Sequence, residues 1–378
     1  MKSVVIAGYV RSPFTPANKG QLAKVRPDEL AAQVVKGLVK KTGVKPDDIE
    51  DVVLGCAFPE GEQGLNVARL VVFLAELPLS VTGTTVNRFC GSSMQAIHIA
   101  TGAIQMEAGE AFVCAGVESM TRVPMPGFNL LPHPRLYESY PDAYISMGFT
   151  AENLARHYQI PREAQDNFAL ASHRKAAASE AAGNFSSETI AIAHRGETVD
   201  KDGCIRPTTS REALAKLEPA FDKKGTVTAG TSAPLTDGAA AVLVCSEDYA
   251  KRKGLEILAR IRSIAVAGCP PVMMGIGPVN ATRKALERAS LTLDTIDIIE
   301  LNEAFAAQTL ACVEELSIPL EKLNLEGGAL ALGHPLGASG ARITGKAASL
   351  LKKNAAKYAL ATMCIGGGQG IATVLEAV

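Results

Sequence analysis

The chain has 378 residues, of which 47% are hydrophobic, and this length allows roughly two or three domains with well-formed cores. The 38 lysines and arginines nearly balance 39 aspartates and glutamates, so a net charge of -1 excludes a broad field that would attract nucleic acid or an acidic membrane face. No signal peptide is recognisable at the start and no apolar window reaches about 18 residues, so we expect a cytoplasmic protein without a membrane span.

Strand-like and helical patterns alternate along the first half of the chain. In order, they are a β-branched run at 3 to 10, a helix at 28 to 42, a strand at 51 to 58, a helix over about 64 to 76, a strand at 83 to 90 and a helix that begins at 91. This alternation predicts the α/β class.

The second half repeats the plan of the first. Residues 283 to 302 align with 35 to 55, and "CGSSMQAIHIATGAI" followed by "AFVCAGVES" is echoed by "LGASGARITGKAASLL" followed by "ALATMCIGGGQG". The helices at 91 to 106 and 338 to 352 carry alanine and glycine on several sides, which is typical of helices buried between sheets. We therefore predict two duplicated βαβ-rich halves that pack against each other.

The composition shifts between the two halves. Residues 120 to 210 hold a stretch rich in proline and tyrosine, then an amphipathic helix that begins at Pro161 and ends before Gly183. This predicts three units: an N-terminal half at 1 to 119 and 236 to 256, an inserted loop domain at 120 to 235, and a C-terminal half at 257 to 378. Basic side chains of the insertion could meet a phosphate: Arg195, Arg206, Arg211, Lys216, Lys223 and Lys224.

The stretch "VNRFCGSSMQA", residues 86 to 96, places Cys90 where a strand ends and a helix begins, with Ser92 or Ser93 as possible caps. Unpaired N–H groups and the positive end of the helix dipole favour a thiolate there and predict a pKa lowered by roughly one unit or more. The sequence thus indicates an activated nucleophile. The chain's eight cysteines never form CxxC, and most lie in apolar settings, which favours reduced thiols over disulfides.

Three stretches of the C-terminal half carry further chemistry. "NEAFA", 302 to 306, follows a strand and puts Asn302 at the edge where α/β sheets bind ligands. In "GGALALGHPLGASGAR", Pro335 keeps His334 out of helical geometry, on the turn before the helix. In "CIGGGQG", glycines let backbone N–H groups approach a ligand beside Cys364.

With these motifs the sequence resembles the thiolases, acyl-CoA:acetyl-CoA C-acyltransferases. The resemblance runs from "VVIAGYVRSPF" through "NRFCGSSMQA", "GTVTAGTSAPLTDGAAA" and "NEAFAAQ" to "CIGGGQGIA", essentially the whole chain. It implies a fold of α-β-α-β-α layers. It also implies that Cys90 is the acylated nucleophile, His334 its base and Cys364 the acid/base at the α-carbon of the acetyl unit.

The resemblance implies two sites for developing negative charge. Backbone N–H groups of Cys90 and Gly366 would serve one, and His334 with a water held by Asn302 the other. It places Arg206 near the adenosine diphosphate of coenzyme A. The residues implied around the pantetheine and the acyl entrance are Phe221, Met147, Met274 and Phe305, with Ala233 where many thiolases have serine. The resemblance further implies that coenzyme A is a co-substrate and that the protein binds no cofactor or metal. We expect the protein to be a homodimer or homotetramer.

Two features predict the branch of the family. Ser146 stands where acetoacetyl-specific members typically have histidine, and "CGSSMQA" is similar to the degradative branch. We therefore predict a 3-ketoacyl-CoA thiolase of fatty acid β-oxidation, with an acetoacetyl-CoA thiolase (acetyl-CoA acetyltransferase) as the alternative. A ketoacyl-synthase type of condensing enzyme would share the duplicated fold but needs other partners in place of Cys364 and Asn302. A non-catalytic acyl-CoA or lipid carrier would not need the thiols.

Overall fold

A computed structural model describes residues 2–378. The strands are β1 (Val4–Arg11), β2 (Thr15–Pro16), β3 (Asp51–Gly55), β4 (Thr82–Val86), β5 (Ala111–Ser119), β6 (Ile192–His194), β7 (Glu197–Val199), β8 (Thr236–Ser246), β9 (Ala259–Gly268), β10 (Ile298–Leu301), β11 (Tyr358–Ile365) and β12 (Gln369–Glu376). The α-helices are α1 (Pro27–Thr42), α2 (Val67–Leu74), α3 (Ser92–Gln105), α4 (Pro134–Ser139), α5 (Met147–His157), α6 (Arg162–Ala181), α7 (Arg211–Ala215), α8 (Glu247–Lys253), α9 (Gly277–Ala289), α10 (Ala306–Leu316), α11 (Ala329–Leu332) and α12 (Leu336–Lys353).

The ends of the predicted helices follow local signals. Helix α1 starts with Pro27 at its first position and ends at Gly43, whose φ of 69° is left-handed. Pro161 is the N-cap of α6, as predicted. The strand predicted at 83 to 90 already ends at Val86, so Cys90 lies in a turn between strand and helix.

Ten strands form one mixed sheet in the order β10-β11-β12-β9-β1-β8-β5-β3-β4, with β2 paired to β8, and β6 and β7 form a separate antiparallel pair. In the N-terminal half, β3 pairs parallel with β5, β5 pairs antiparallel with β8, and β8 pairs antiparallel with β1. In the C-terminal half, β10 pairs parallel with β11, β11 pairs antiparallel with β12, and β12 pairs antiparallel with β9. The same pairing pattern thus occurs twice, which confirms the predicted duplication, and the two half-sheets meet through a short β1–β9 pairing.

Helices α3 and α12 form the layer between the two half-sheets. Ile97 of α3 and Ile343 of α12 belong to one buried apolar cluster with strand residues of both halves, such as Val242 and Met363. A Cβ built on Gly340 would lie 2.4 Å from the backbone nitrogen of Met94, so the glycine is what lets these helices approach closely. The predicted burial of both helices is therefore confirmed.

Two outer layers complete the fold. Helices α1 and α2 cover the N-terminal half-sheet through a cluster that includes Val34 and Val71, and α9 and α10 cover the C-terminal half-sheet through one that includes Leu286 and Cys312. The layers alternate α-β-α-β-α, so the predicted fold class is confirmed. The predicted division into an inserted domain at 120 to 235 and two flanking halves stays a prediction.

A buried ion cluster ties the segment between β5 and β8 to β1. Arg11 is fully buried, and its Nε donates to Glu188 at 2.8 Å while Nη1 and Nη2 each donate to Asp202 at 2.7 Å. Burial raises the pKa of Glu188, but Lys346 and Arg11 outweigh burial and hold that pKa below its ordinary value. The stabilisation from Glu188 is therefore present above the pKa of an unfolded glutamate and is lost as the pH falls.

Replacing Arg11 by methionine should destabilise the protein by about 3–5 kcal/mol, because the buried carboxylate of Asp202 loses its ion pair and Glu188 keeps only Lys346. The measurement is the midpoint and slope of urea unfolding. Arg122→Met is the matched control, since Arg122 pairs with Glu62 at a more exposed place and its loss should cost under about 1 kcal/mol. Equal losses in both variants would contradict this account of the cluster.

Three further features concern disulfide bonds, membrane-spanning helices and metal-binding clusters. All eight cysteines are unpaired. Within residues 2–378, no helix has the length and apolar character needed to cross a membrane. The same residues contain no cluster of three or more histidine, cysteine or acidic side chains arranged to hold a metal ion.

Candidate active site

The turn that carries Cys90 is built by backbone strain and one hydroxyl. Phe89 adopts a left-handed φ of 44°, which reverses the chain between β4 and α3. The Oγ of Ser92 accepts from the backbone N–H of Arg88 at 2.9 Å and donates to the carbonyl of Phe89 at 2.6 Å. Ser92 therefore closes the turn instead of capping the helix, whose N-cap is Gly91, so the predicted serine cap is wrong.

The pKa predicted for Cys90 is also wrong. Cys90 is half-buried and packs in an apolar cluster with Leu336 and Phe58. Burial raises the pKa of the Cys90 thiol to about 12, although the backbone N–H groups of Gly366 and of Cys90 itself favour the thiolate. Desolvation outweighs the helix terminus because the apolar wall penalises a charged sulfur. The thiol consequently needs a base at the moment of reaction.

The backbone N–H groups of Gly366 and Cys90 lie near the Cys90 sulfur. Gly366 follows β11 directly, and the turn continues through Gly367 and Gly368, whose φ angles of 78° and 80° suit glycine. Arg88 ties this turn to the Cys90 turn, since its Nη1 donates to Gln369 at 2.7 Å and its Nε to Gln95 at 2.8 Å. Two chain segments far apart in sequence thus meet near the Cys90 sulfur.

His334 lies between α11 and α12, as Pro335 predicted, and its backbone N–H donates to Thr236 Oγ1 at 3.0 Å. The ring has a partner on each side: Nε2 is 3.3 Å from Asn302 Nδ2, and Nδ1 is 2.6 Å from Ser339 Oγ. Burial, and then the charge of Arg342, lower the pKa of His334 to about 3. The imidazole is therefore neutral near pH 7.

Asn302 lies at the carboxyl end of β10, and its backbone N–H donates to the carbonyl of Thr362, two residues before Cys364. Its Oδ1 is buried without a hydrogen-bond partner among the described residues. The adjacent Glu303 accepts from Ser172 at 2.6 Å and from Asn324 at 2.7 Å, which anchors this loop. The structure therefore brings Asn302, His334 and Cys364 to one end of the C-terminal half-sheet.

Cys364 is fully buried at the end of β11, in an apolar cluster with Met274 and Phe305, and Met147 packs against this cluster. Burial, followed by the proximity of Cys90, raises the pKa of Cys364 well above its ordinary value. The ring of Phe221 meets that of Phe305 edge-on at 5.9 Å. The structure thus brings together four of the side chains predicted at the pantetheine and the acyl entrance, beside Cys364.

The other predicted contacts lie further out. The backbone N–H of Ala233 donates to the carbonyl of Ala304, next to Phe305, at 2.9 Å. Ser146 is an exposed N-cap of α5, directly before Met147. Arg206 is exposed, and its backbone N–H donates to His173 Nδ1 at 3.2 Å. It is not part of the apolar cluster around Cys364.

Three residues of this site escaped the sequence reading: Ser339, Arg88 and Thr236. All three stand inside the quoted motifs, so the sequence shows their positions but not their partners. Thr236 contacts a residue 98 positions away, and local sequence carries no signal for that contact.

Comparison with known proteins agrees with this geometry. The sequence pattern of the thiolase N-terminal domain matches residues 4–248, and that of the thiolase C-terminal domain matches 255–377. The chain is 49% identical over 386 residues to the 3-ketoacyl-CoA thiolase of Aliivibrio fischeri and 49% identical over 389 residues to that of Idiomarina loihiensis. Both matches cover 100% of each chain.

Solved structures are similar over the same length. The human mitochondrial 3-ketoacyl-CoA thiolase has a TM-score of 0.92 at 37% identity, covering 100% of this chain and 99% of that one. A structure of that human protein in complex with CoA also has a TM-score of 0.92. The acetyl-CoA acetyltransferase of Bacillus anthracis has a TM-score of 0.93 at 41% identity, with coverage of 100% and 99%.

Proposed function

The chain belongs to the thiolase family and is an acyltransferase, and from this premise we propose that it is a 3-ketoacyl-CoA thiolase. The reaction cleaves a 3-ketoacyl-CoA with CoA and yields an acyl-CoA, shortened at its carboxyl end, and acetyl-CoA. The observation that carries the proposal is the pair of thiols: the Cys90 sulfur lies near the backbone N–H groups of Gly366 and of Cys90 itself, and burial, followed by the proximity of Cys90, raises the pKa of Cys364. A single nucleophile could transfer an acyl group but could not also protonate the departing carbon.

In the first half-reaction, neutral His334 takes the proton of Cys90, and the sulfur attacks the C3 carbonyl of the substrate. The N–H groups of Cys90 and Gly366 stabilise the oxyanion that forms there. The C2–C3 bond then breaks, its electron pair goes to C2, and Cys364 donates its proton to that carbon. His334 and Asn302 stabilise the enolate oxygen, and the products are acetyl-CoA and an acyl group on Cys90.

In the second half-reaction, the thiolate of Cys364 removes the proton of an incoming CoA, whose sulfur attacks the acyl group on Cys90. The Cys90 sulfur leaves and recovers its proton from His334. Because the acyl group passes from one thioester to another, each step is close to balanced and the sequence is reversible. Both cysteines and His334 return to their starting protonation.

CoA is a co-substrate in this scheme. We assign its pantetheine and the acyl entrance to the cluster of Met147, Met274, Phe305 and Phe221, which surrounds the access to Cys364. Ala233 lies beside Phe305 and offers no hydroxyl to the pantetheine. Arg206 is exposed and free to meet a phosphate of the nucleotide. The human relative solved in complex with CoA supports this assignment of the ligand.

An acetoacetyl-CoA thiolase is the second candidate, and the similarity to the Bacillus anthracis acetyl-CoA acetyltransferase favours it. Ser146 favours the first candidate, because a small exposed side chain before Met147 leaves room for an acyl chain. We expect the purified protein to cleave medium- and long-chain 3-ketoacyl-CoA thioesters well, measured as CoA-dependent loss of the ketoacyl thioester absorbance. Activity on acetoacetyl-CoA alone would assign the second candidate, and activity on none would restore the acyl-CoA carrier.

The cellular setting follows from this reaction. Cleavage of 3-ketoacyl-CoA is a step of fatty acid β-oxidation, and we infer that the protein serves it in the cytoplasm, where the eight unpaired cysteines stay reduced. We also infer a homodimer or homotetramer. Strand β4 is an edge strand with exposed and half-exposed residues, and the exposed Leu65 precedes Asn66, which donates to the carbonyl of Gly83 in β4, so a second copy could extend the sheet there.

A further inference from the structure

The hydroxyl of Ser339 makes two hydrogen bonds, one with the carbonyl of Pro335 and one with the ring of His334. Ser339 lies in the first turn of α12, is 1% exposed, and its Oγ donates to the carbonyl of Pro335 at 3.2 Å. A serine hydroxyl has one hydrogen and two lone pairs. With that hydrogen directed to Pro335, the contact of 2.6 Å to His334 Nδ1 makes the imidazole the donor and Ser339 the acceptor.

The other side of the ring agrees with this assignment. Asn302 Nδ2 is an amide nitrogen that only donates, and it lies 3.3 Å from His334 Nε2, so His334 Nε2 is the acceptor of this hydrogen bond. Both contacts therefore describe the same tautomer, with the proton on Nδ1 and the lone pair on Nε2. The reverse tautomer would need a rotated Ser339 hydroxyl and a flipped Asn302 amide, and it would leave the carbonyl of Pro335 without this donor.

We propose that Ser339 is a positioning residue that holds His334 in the tautomer with its lone pair on Nε2, ready to take the proton of Cys90. The proposal rests on the function proposed above for Cys90 and His334. Ser339 touches the base and not the substrate, so it acts through the orientation of the ring. It occupies the place that a carboxylate holds in many catalytic triads.

A neutral acceptor has a different effect from a carboxylate. A carboxylate would stabilise the imidazolium, whereas Ser339 only orients the ring, and the nearby guanidinium of Arg342 opposes a second positive charge. Arg342 is paired with Glu300 at 2.9 Å, so its charge is partly balanced. His334 is thus a base that takes the proton of Cys90 and returns it to the sulfur when that sulfur leaves.

The test measures the alkylation of Cys90 by iodoacetamide without any substrate, followed by peptide mass spectrometry. Ser339→Ala should slow this reaction and lower kcat by about 10- to 100-fold, a part of the roughly 10²- to 10⁴-fold that a general base contributes. KM should stay unchanged. Ser339→Thr, which keeps the hydroxyl, should restore most of both rates. Ser349→Ala, on the same helix, is the matched control and should react as the unaltered chain does.

His334→Ala sets the lower limit, and Ser339→Ala should fall between it and the unaltered chain. If Ser339→Ala alkylates at the unaltered rate, or if His334→Ala does, the proposal is overturned. If the variants do not fold, ¹⁵N-histidine NMR of the unaltered chain decides: a proton on Nε2 of His334 overturns the proposal, and one on Nδ1 supports it. Because alkylation needs no acyl-CoA, a wrong substrate class would show only in the thiolysis assay.

Discussion

Replacing Cys90 by alanine should lower thiolysis by about 10⁴-fold or more, because the acyl group then has no sulfur to occupy. Because burial raises the pKa of Cys90, its thiol is protonated near pH 7 and depends on a base to react. In the proposed mechanism the sulfur is reactive through its base, His334, and the nearby backbone N–H groups of Gly366 and Cys90. The measurement is CoA-dependent cleavage of 3-ketoacyl-CoA, together with mass spectrometry of the acylated peptide.

The matched control for this variant is Cys245→Ala. Cys245 is fully buried on β8, in the apolar cluster under α1 and α2, so its replacement tests the loss of a buried sulfur without touching the site. It should leave the rate within a few-fold of the unaltered chain. Undiminished thiolysis by Cys90→Ala would refute the acyl-cysteine mechanism and would leave the carrier hypothesis standing.

Replacing Cys364 by alanine should lower thiolysis by roughly 10²-fold or more while the acylation of Cys90 remains detectable. The physical reason is the division of labour between the thiols. Cys90 forms the bond to carbon, and Cys364 supplies the proton to the acetyl carbanion, so only the second task is lost. The specific measurement is exchange of the α-protons of acetyl-CoA with deuterated solvent, which should fall with the overall rate.

Cys312→Ala is the matched control for this second variant. Cys312 is equally buried on α10, and its Sγ contacts the carbonyl of Gly275 at 3.2 Å, so it carries no role in the proposed proton transfer. Full exchange by Cys364→Ala would show that another group protonates the carbanion. A loss of similar size in both variants would point to the loss of a buried sulfur instead of acid chemistry.

The sequence predicted the architecture well because its signals are local. Alternating strand and helix patterns and the alanine-rich helices depend on neighbours along the chain, and the repeat of 35 to 55 at 283 to 302 is visible when the two stretches of sequence are compared. The paired β3–β5 and β10–β11 strands then follow from the duplication. The resemblance of the motifs in turn indicated which thiols and which imidazole would converge.

The sequence failed where distant partners decide the chemistry. The position of Cys90 before a helix was correct, but its pKa depends on Phe58 and Leu336, which the local stretch does not contain. The sequence offers Ser92 or Ser93 as possible caps, whereas the Oγ of Ser93 accepts from the backbone N–H of Ala341, 248 residues away. A tautomer fixed by Ser339 likewise needs the geometry of a turn, which residue spacing alone does not provide.

The close approach of α3 and α12 has a consequence for the asymmetry of the chemistry. These helices occupy equivalent places in the two halves, and their first turns touch through Ser93 and Ala341 and through Met94 and Gly340. A protein of half this length that paired with itself would bring two copies of one turn to this point, and both would carry the same side chain. Joining the halves in one polypeptide lets the first turn present a thiol and the second an imidazole. A sulfur acceptor and a nitrogen base can then face one substrate without two different genes.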